Sequence, residues 1–267
     1  MSKTITEQLQ LIKQQDRLGL MTHVVLGYPS LAESKDKILR MVEAGVDCIE
    51  LQIPFSDPMA DGPVITVANQ VALQQGVTVE DCFALAAELI PQSPIPLQFI
   101  GYYNTVYHFG VAKFVERCRT IGIAGLTFPD LPIAEAEYEP LFTLARAANF
   151  PMIQLVSPAS TPDRLRAIAK TAKAMVYCVA RFGVTGTTTN QAATGAAAQL
   201  ALDRLTTYLQ TVRQYVTLPL AVGFGLRQPS DIAQLRGLAD VAVVGSALQN
   251  IGGQELSSYL KTLCASR

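Results

Sequence analysis

Short apolar runs recur along the chain, and each is followed by a segment with apolar residues three and four positions apart. The runs are continuously apolar instead of alternating, which is typical of strands covered on both faces of a parallel sheet. Eight strands are predicted in this way. They are Leu20–Leu26, Asp47–Gln52, Pro96–Ile100, Gly125–Phe128, Met152–Val156, Ala174–Val179, Leu218–Val222 and Val241–Val244.

The segments between the strands have helical spacing, and several begin with residues that favour a helix N-terminus. Thr78 stands just before an acidic turn, and Thr161 precedes a proline at the first helical position. Ile5, Leu9 and Ile12 predict a further amphipathic helix before the first strand. The other predicted helices are Ser34–Glu43, Thr78–Leu89, Val111–Arg119, Ala134–Ala148, Thr161–Thr171, Ala198–Tyr215 and Pro229–Leu235.

Eight strand–helix units in one uninterrupted chain predict a (β/α)₈ barrel with an extra N-terminal helix. The 267 residues fit one such domain, spanning residues 1–267, because these barrels commonly use about 250 residues. The alternative is a doubly wound open sheet. We favour the barrel because of the count of eight and because no early G-x-G-x-x-G motif is present.

Composition excludes several classes of function. Hydrophobic residues make up 49% and charged residues 16%, which argues against disorder. The net charge of −1 and the absence of a basic run argue against nucleic acid as a partner. No apolar stretch approaches the roughly 18 residues of a membrane helix, and the N-terminus is not typical of a signal peptide. Five scattered cysteines and two distant histidines predict a reduced, cytoplasmic protein without a metal site.

Acidic residues gather at the end of the second predicted strand. Active sites of these barrels form at the carboxyl ends of the strands. Glu50 and Gln52 share one face of the strand, and the proline-rich loop that follows contains Asp57 and Asp61. A Glu50 that faces the barrel interior would stand in the mouth, but an outward glutamate paired with a helix lysine is an equal alternative. On composition alone, the two aspartates indicate an ordinary solvated turn.

Glycines follow three consecutive predicted strands. They occur in Arg181–Gly186, in Gly223–Gly225 and at Gly245, which is followed by Ser246. Glycine lets backbone N–H groups approach an oxyanion, and many barrels bind phosphate after strands seven and eight. Glycines also end strands for steric reasons, but three at this corner favour a phosphorylated small substrate.

Several motifs appear in the order known from one enzyme family. They are ELQIPFSDPMADGP, YYNTVYHFG, FPDLP, SPAST, YCVARFGVTG, AVGFG and VVGSAL. The first is highly specific, whereas the glycine motifs also occur in other phosphate-binding barrels. Over nearly its whole length the chain resembles the α subunit of tryptophan synthase.

The resemblance implies retro-aldol cleavage of indole-3-glycerol phosphate to indole and glyceraldehyde 3-phosphate. It assigns the catalytic acids to Glu50 and Asp61, and we expect Phe99 and Phe128 as further walls of the indole slot. The other matched positions are the phosphate ligands Gly186, Gly225, Gly245 and Ser246, the indole-side residues Ile100 and Tyr102, and Tyr177 near the catalytic glutamate.

The resemblance also implies a partner. The α subunit of this family docks on a β subunit that uses pyridoxal phosphate, so we expect an α2β2 heterotetramer and no cofactor in this chain. Asp57, Pro58 and Asp130–Pro132 match regions that face the partner, although they are also ordinary turn residues.

The chain departs from the family pattern at five positions, which are His23, Gln52, Thr66, Val71 and Phe182. An aromatic or aliphatic residue is usual at the first position, and glycine at the second. We expect His23 to be a neutral core histidine. The departures affect expectations about loop dynamics and partner docking more than the basic reaction.

Three alternatives stay open from the residues. The first is a stand-alone lyase that releases free indole. The second is another phosphate-binding barrel enzyme, such as an indole-forming cyclase or a sugar-phosphate isomerase, although no predicted strand ends in the lysine that these usually need. The third is a non-catalytic regulatory subunit, which the presence of both Glu50 and Asp61 disfavours.

Overall fold

Eight parallel strands form a closed barrel in the computed structural model, which describes residues 3–180, 196–223 and 225–267. Each strand pairs with the next along the chain, and the eighth pairs with the first, so the open-sheet alternative is wrong. The strands are β1 Gly19–Val25, β2 Cys48–Gln52, β3 Leu97–Ile100, β4 Leu126–Thr127, β5 Met152–Val156, β6 Val176–Val179, β7 Leu220–Gly223 and β8 Val241–Val244.

Twelve α-helices are described around the barrel and at its ends. They are α1 Ile5–Gln14, α2 Leu31–Ala44, α3 Pro63–Gln74, α4 Val79–Leu89, α5 Tyr103–Phe109, α6 Val111–Ile121, α7 Pro140–Ala147, α8 Pro162–Thr171, α9 Ala196–Arg213, α10 Pro229–Ala233, α11 Ser246–Gln249 and α12 Gly253–Ala265. The predicted N-terminal helix is confirmed as α1. Thr78 and Thr161 cap α4 and α8 with their side chains, as predicted.

The helix predictions fail in two ways. The helix predicted over Ala134–Ala148 is instead a 3₁₀ turn at Ile133–Glu135 followed by α7, because Pro140 cannot continue a helix that begins before it. Helices α3, α5 and α12 were not predicted. In α3 the apolar residues give no clear polar face, since Val67 on the solvent side is 51% exposed while Asn69 on the inner side is buried.

Two apolar layers follow from the alternation of side chains along the strands. Residues facing outward pack against the helices, where Phe83, Phe99 and Phe114 form an aromatic cluster. Residues facing inward fill the lower part of the barrel, and α1 closes the bottom with its apolar face. The inward cluster consists of Met21, Cys48, Ile153, Met175, Ala221, Val241 and Val243, packed against Ile5, Leu9 and Ile12 of α1.

A buried carboxylate ties the barrel bottom together. Asp47, directly before β2, accepts five hydrogen bonds of 2.6–2.9 Å. Two come from the Arg17 guanidinium, and one each comes from the Gln8 amide, the Leu20 N–H and Arg267. The two arginines compensate the cost of burying this charge.

Within the described ranges, no helix has the length and hydropathy needed to cross a lipid bilayer. In the same ranges, no cluster of histidine, cysteine, aspartate or glutamate side chains is arranged to bind a metal ion. Four of the five cysteines are buried and all are free thiols, as expected for small core residues. The single-domain organisation of residues 1–267 stays a prediction.

Candidate active site

Three polar side chains from neighbouring strands meet in the upper half of the barrel. The strand register places His23 of β1 beside Glu50 of β2, and Glu50 beside Gln98 of β3. The Gln98 amide donates a 2.9 Å hydrogen bond to Glu50 Oε1, and His23 Nδ1 lies 3.5 Å from Glu50 Oε2. Glu50 is fully buried and faces the barrel interior, so the alternative of an outward glutamate paired with a helix lysine is wrong.

Asp61 lies over the same side of the barrel mouth. Gln52 shares the inward face of β2 with Glu50, and its amide donates to Asp61 Oδ2 at 2.7 Å. The Tyr102 hydroxyl donates to the same oxygen at 3.1 Å and accepts from the Ala60 N–H at 3.0 Å. Asp61 is therefore held by two donors and is not part of a freely solvated turn.

The loop between β2 and α3 is anchored by Asn69, which is buried on α3. Its side-chain oxygen accepts from the Phe55 N–H at 2.9 Å, and its amide group donates to the Ile65 carbonyl at 2.8 Å. The Phe55 ring stacks on Tyr102 with centroids 5.1 Å apart. These contacts fix the chain on both sides of Asp61.

Glu50 and Asp61 change the pKa values of neighbouring side chains. Burial alone would lower the pKa of His23, but the contact with Glu50 and the negative charges of Glu50 and Asp61 together raise it. Burial and the same two charges raise the pKa of Tyr177 on β6. For Tyr102, burial and the charge of Asp61 raise the pKa, so both tyrosines are hydroxyl donors at neutral pH. The structure thus brings Glu50, Asp61, Tyr102 and Tyr177 together.

Unpartnered polar atoms concentrate at this level of the barrel. Among the described residues, five of the six buried side-chain atoms without a hydrogen-bond partner belong to β1–β4. They are His23 Nε2, Glu50 Oε2, Gln52 Oε1, Gln98 Oε1 and Thr127 Oγ1. Native interiors contain few such atoms, and a cluster of them is typical of a binding site.

The predicted indole walls divide between two layers. Ile100 is two residues beyond Gln98, so it shares the inward face of β3 at the mouth. Phe99 and Phe128 were predicted as walls, and this prediction is wrong. Both alternate to the outward face, where each ring packs against Phe114 of α6.

The glycine corner is partly described. Gly223 of β7 pairs with Val243 of β8, so Gly225 and Gly245, each two residues further, follow neighbouring strand ends. Gly225 has φ of +93°, which glycine adopts without strain. Ser246 begins α11 directly after Gly245. The predicted ligand Gly186 and the departure at Phe182 lie outside the described residues.

Gly223, which belongs to one of the predicted phosphate-binding glycine motifs, packs against Tyr177. A Cβ atom at this position would lie 2.3 Å from the Tyr177 hydroxyl. The missing side chain therefore makes room for the Tyr177 ring inside the barrel.

The comparisons with known proteins agree on one family. The family model for the tryptophan synthase alpha chain matches residues 9–262. The alpha chain of Desulfotalea psychrophila is 43% identical over 244 residues, covering 91% of each chain. That of Desulforapulum autotrophicum is 42% identical over 255 residues, covering 94% of this chain and 96% of its own. The solved structure of Mycobacterium tuberculosis tryptophan synthase superposes with a TM-score of 0.84 at 30% identity, covering 100% of this chain and 98% of the other.

The chain belongs to the tryptophan synthase alpha chain family. Membership makes it a lyase of tryptophan biosynthesis. The alternatives of a different phosphate-binding barrel enzyme and of a non-catalytic subunit are therefore set aside.

Four of the five positions where this alpha chain departs from the family pattern lie in the described residues. His23 is buried as expected, and its ring lies 3.5 Å from Glu50, whose contact and charge raise its pKa. That the ring is neutral stays a prediction. Gln52 contacts Asp61. Thr66 donates to the Gly62 carbonyl inside α3, and Val71 lies on the same helix away from the acids.

Two further alpha-chain predictions concern the partner surface and both stay predictions. Asp57 is exposed and Pro58 is buried. The Asp130 carboxylate accepts from the Tyr103 N–H at 2.9 and 3.0 Å, so it satisfies the first N–H of α5.

Sequence reasoning missed three residues of this alpha chain that position the acids. Gln98 had a usable signal, since a glutamine inside a predicted buried strand needs a partner. Asn69 and Phe55 gave little signal, because the α3 helix itself was not predicted and an aromatic residue in a loop has many roles.

Proposed function

We propose that this chain cleaves indole-3-glycerol phosphate into indole and glyceraldehyde 3-phosphate, with Glu50 and Asp61 as the reacting acids. The observation that supports this most is the convergence of the two carboxylates. Glu50 is fully buried in the barrel interior, and Gln52, two residues further on the same face, donates to Asp61. Two carboxylates at one aromatic substrate suit a reaction that needs both proton transfer and stabilisation of a cation.

The reaction begins at indole C3. Glu50 donates a proton to C3, which gives an indolenine cation, and the Asp61 carboxylate accepts a hydrogen bond from the ring N–H and stabilises the positive charge. Gln52 and Tyr102 both donate to Asp61 Oδ2, which leaves Oδ1 for the ring N–H.

Cleavage of the carbon–carbon bond follows. The hydroxyl on the carbon attached to C3 loses its proton to Glu50, and its oxygen becomes the aldehyde oxygen of glyceraldehyde 3-phosphate. The electron pair of the broken bond returns to C3 and neutralises the indolenine. Glu50 thereby regains its proton. Its Oε1 is held by Gln98. Among the described residues Oε2 has only the His23 ring at 3.5 Å, so Oε2 is the atom placed for proton transfer.

The indole end and the phosphate end of the substrate bind to different sets of residues. Ile100, Tyr102 and Tyr177 contact the indole, in a slot that Phe55 completes by stacking on Tyr102. The phosphate is bound by Gly225, Gly245 and Ser246, together with Gly186. Support comes from the register of β7 and β8, which puts the first two at neighbouring strand ends.

We further propose that the chain works with a tryptophan synthase β subunit, as an α2β2 assembly in the cytoplasm. The β subunit then takes up indole and carries the pyridoxal phosphate, and this chain needs no cofactor of its own. The likeness of the whole chain to the solved tryptophan synthase of Mycobacterium tuberculosis supports this proposal.

Purified chain mixed with indole-3-glycerol phosphate, with and without a β subunit, tests the proposal. We expect slow indole release alone, a sharp rise with the β subunit, and a loss of about 10²- to 10³-fold in the isosteric Asp61→Asn variant. Full activity without the partner would instead support a stand-alone lyase. Wild-type turnover in Asp61→Asn would contradict the assigned role.

A further inference from the structure

His23 and Gln52 each contact one of the two acids, and neither exchanges a proton with the substrate in the mechanism above. His23 Nδ1 is 3.5 Å from Glu50 Oε2, and Gln52 Nε2 is 2.7 Å from Asp61 Oδ2. His23 is 7% exposed and Gln52 is 1% exposed, so neither contact is weakened by bulk water. Each residue contacts one acid.

Within the described ranges, the remaining polar atom of each of these two side chains is buried without a hydrogen-bond partner. These atoms are His23 Nε2, a donor when the ring is charged, and Gln52 Oε1, an acceptor. They belong to side chains on neighbouring strands, and the Gln52 side chain also helps to raise the pKa of His23. The register sets His23 opposite Glu50, and Gln52 lies two residues beyond Glu50 on the same inward face of β2.

We propose that His23 and Gln52 act together as positioning residues that link Glu50 to Asp61 in this chain. The charged His23 ring donates one hydrogen bond to Glu50 and one to Gln52 Oε1. The Gln52 amide in turn donates to Asp61. Only a doubly protonated imidazole donates to both Glu50 and Gln52, whereas a neutral ring has one N–H. The pair is therefore complete only when His23 is charged, which suits the stage after Glu50 has passed its proton to indole C3 and is a carboxylate.

The other groups around His23 do not compete for its charge. Glu50 and Gln52 face it from β2, and Asp61 faces it from the following loop. On the β8 side, its neighbour is Gly245, whose missing Cβ would lie 3.4 Å from the Cβ of His23. The Gln249 amide of α11 donates to the backbone carbonyls of His23 and Gly245 and not to the His23 ring. Of these groups, Glu50 and Asp61 carry charge.

The two residues are consequently interdependent. Removing one leaves a buried polar atom of the other without its counterpart, and such an atom costs more than the lost hydrogen bond contributes. Removing both leaves no such atom. This predicts that an apolar residue at position 23 together with glycine at position 52 works, while a change at one position alone works poorly.

The kinetic test compares His23→Phe, Gln52→Gly and the double variant, and it rests on the proposed function. We expect kcat to fall about 10- to 100-fold in each single variant, with KM changed less. In the double variant kcat should be no lower than in the worse single. In the wild type kcat should fall as pH rises through the pKa of His23, and this limb should be absent in the double variant.

A matched control is Gln154→Ala, which removes a buried strand glutamine from the helix-facing side of β5. We expect it to lower stability and to leave the pH profile unchanged. Losses that multiply in the double variant, or single variants with wild-type kcat, would overturn the proposal.

A second measurement does not depend on turnover. The chain has two histidines, so NMR titration resolves His23 with His108 as an internal reference. We expect Gln52→Gly to lower the pKa of His23 and to leave that of His108 unchanged. An unmoved His23 pKa would overturn the link, whereas absent cleavage in the wild type would contradict only the proposed function.

Discussion

Two carboxylates three residues apart, Asp47 directly before β2 and Glu50 in the middle of β2, have opposite surroundings. Asp47 at the barrel bottom accepts five hydrogen bonds, three of them from two arginines. From the described part of the chain, Glu50 in the mouth accepts one, from Gln98, and its second oxygen has only His23 at 3.5 Å. Both side chains are buried.

The difference shows how one strand serves stability and chemistry at once. A buried carboxylate whose lone pairs are all used stabilises the fold and cannot react. A buried carboxylate with a spare oxygen is costly on its own and available to a substrate. The other residues at each end of the barrel show the same division. The bottom is closed by α1, whereas five of the unpartnered polar atoms among the described residues lie at the mouth.

Replacing the mouth carboxylate Glu50 should reduce turnover without lowering stability. In Glu50→Gln the shape and the Gln98 neighbour remain, but the proton carrier is lost, so we expect indole release to fall about 10³- to 10⁴-fold. The free energy of unfolding should stay within about 1 kcal/mol of wild type. Steady-state kinetics and urea denaturation on the same preparation measure both quantities, and substantial remaining turnover would refute the role of Glu50.

Replacing the bottom carboxylate should have the reverse effect. Asp47→Ala leaves Arg17 and Arg267 without their common anion, so we expect the free energy of unfolding to fall by about 3 kcal/mol. Because the mouth is untouched, kcat per folded molecule should change less than about twofold. Loss of turnover in a fully folded Asp47→Ala sample would show that the two ends are not independent.

A smaller effect on turnover is expected from removing the Tyr102 hydroxyl, which contacts Asp61 and Ala60. Tyr102→Phe keeps the ring stacked on Phe55 but removes the donor to Asp61 and the acceptor for the Ala60 N–H. We expect kcat to fall about tenfold. Tyr103→Phe is the matched control, because that hydroxyl donates to Glu139 outside the mouth, and equal losses in both variants would argue against a specific role.

The smallest effect concerns pH. The pKa of His23 is raised above its ordinary 6.5, so protonation stabilises the folded state. This contribution is complete below pH 6.5 and is lost as pH rises through the folded-state pKa. The stability difference between wild type and His23→Phe should therefore favour wild type more at about pH 6 than at about pH 8.5. Urea denaturation at the two values measures it, and a constant difference would contradict the prediction.

The sequence by itself determined the number of strands, their parallel arrangement and the end of the barrel at which the acids stand. Continuous apolar runs require cover on both faces, and a strand passes its direction to the loop that follows, so Glu50 and the acidic loop had to share one end. Local signals also determined the caps at Thr78 and Thr161, because a cap depends on residues only three positions apart.

Only the tertiary structure decided which face each side chain takes and what it meets there. Phe99 and Gln98 are adjacent in sequence, yet one packs among helices and the other holds Glu50. His23 meets Glu50 because β1 and β2 pair in one register, and a shift by a single residue would turn one of them outward. Such contacts join distant parts of the chain, so local patterns do not contain them.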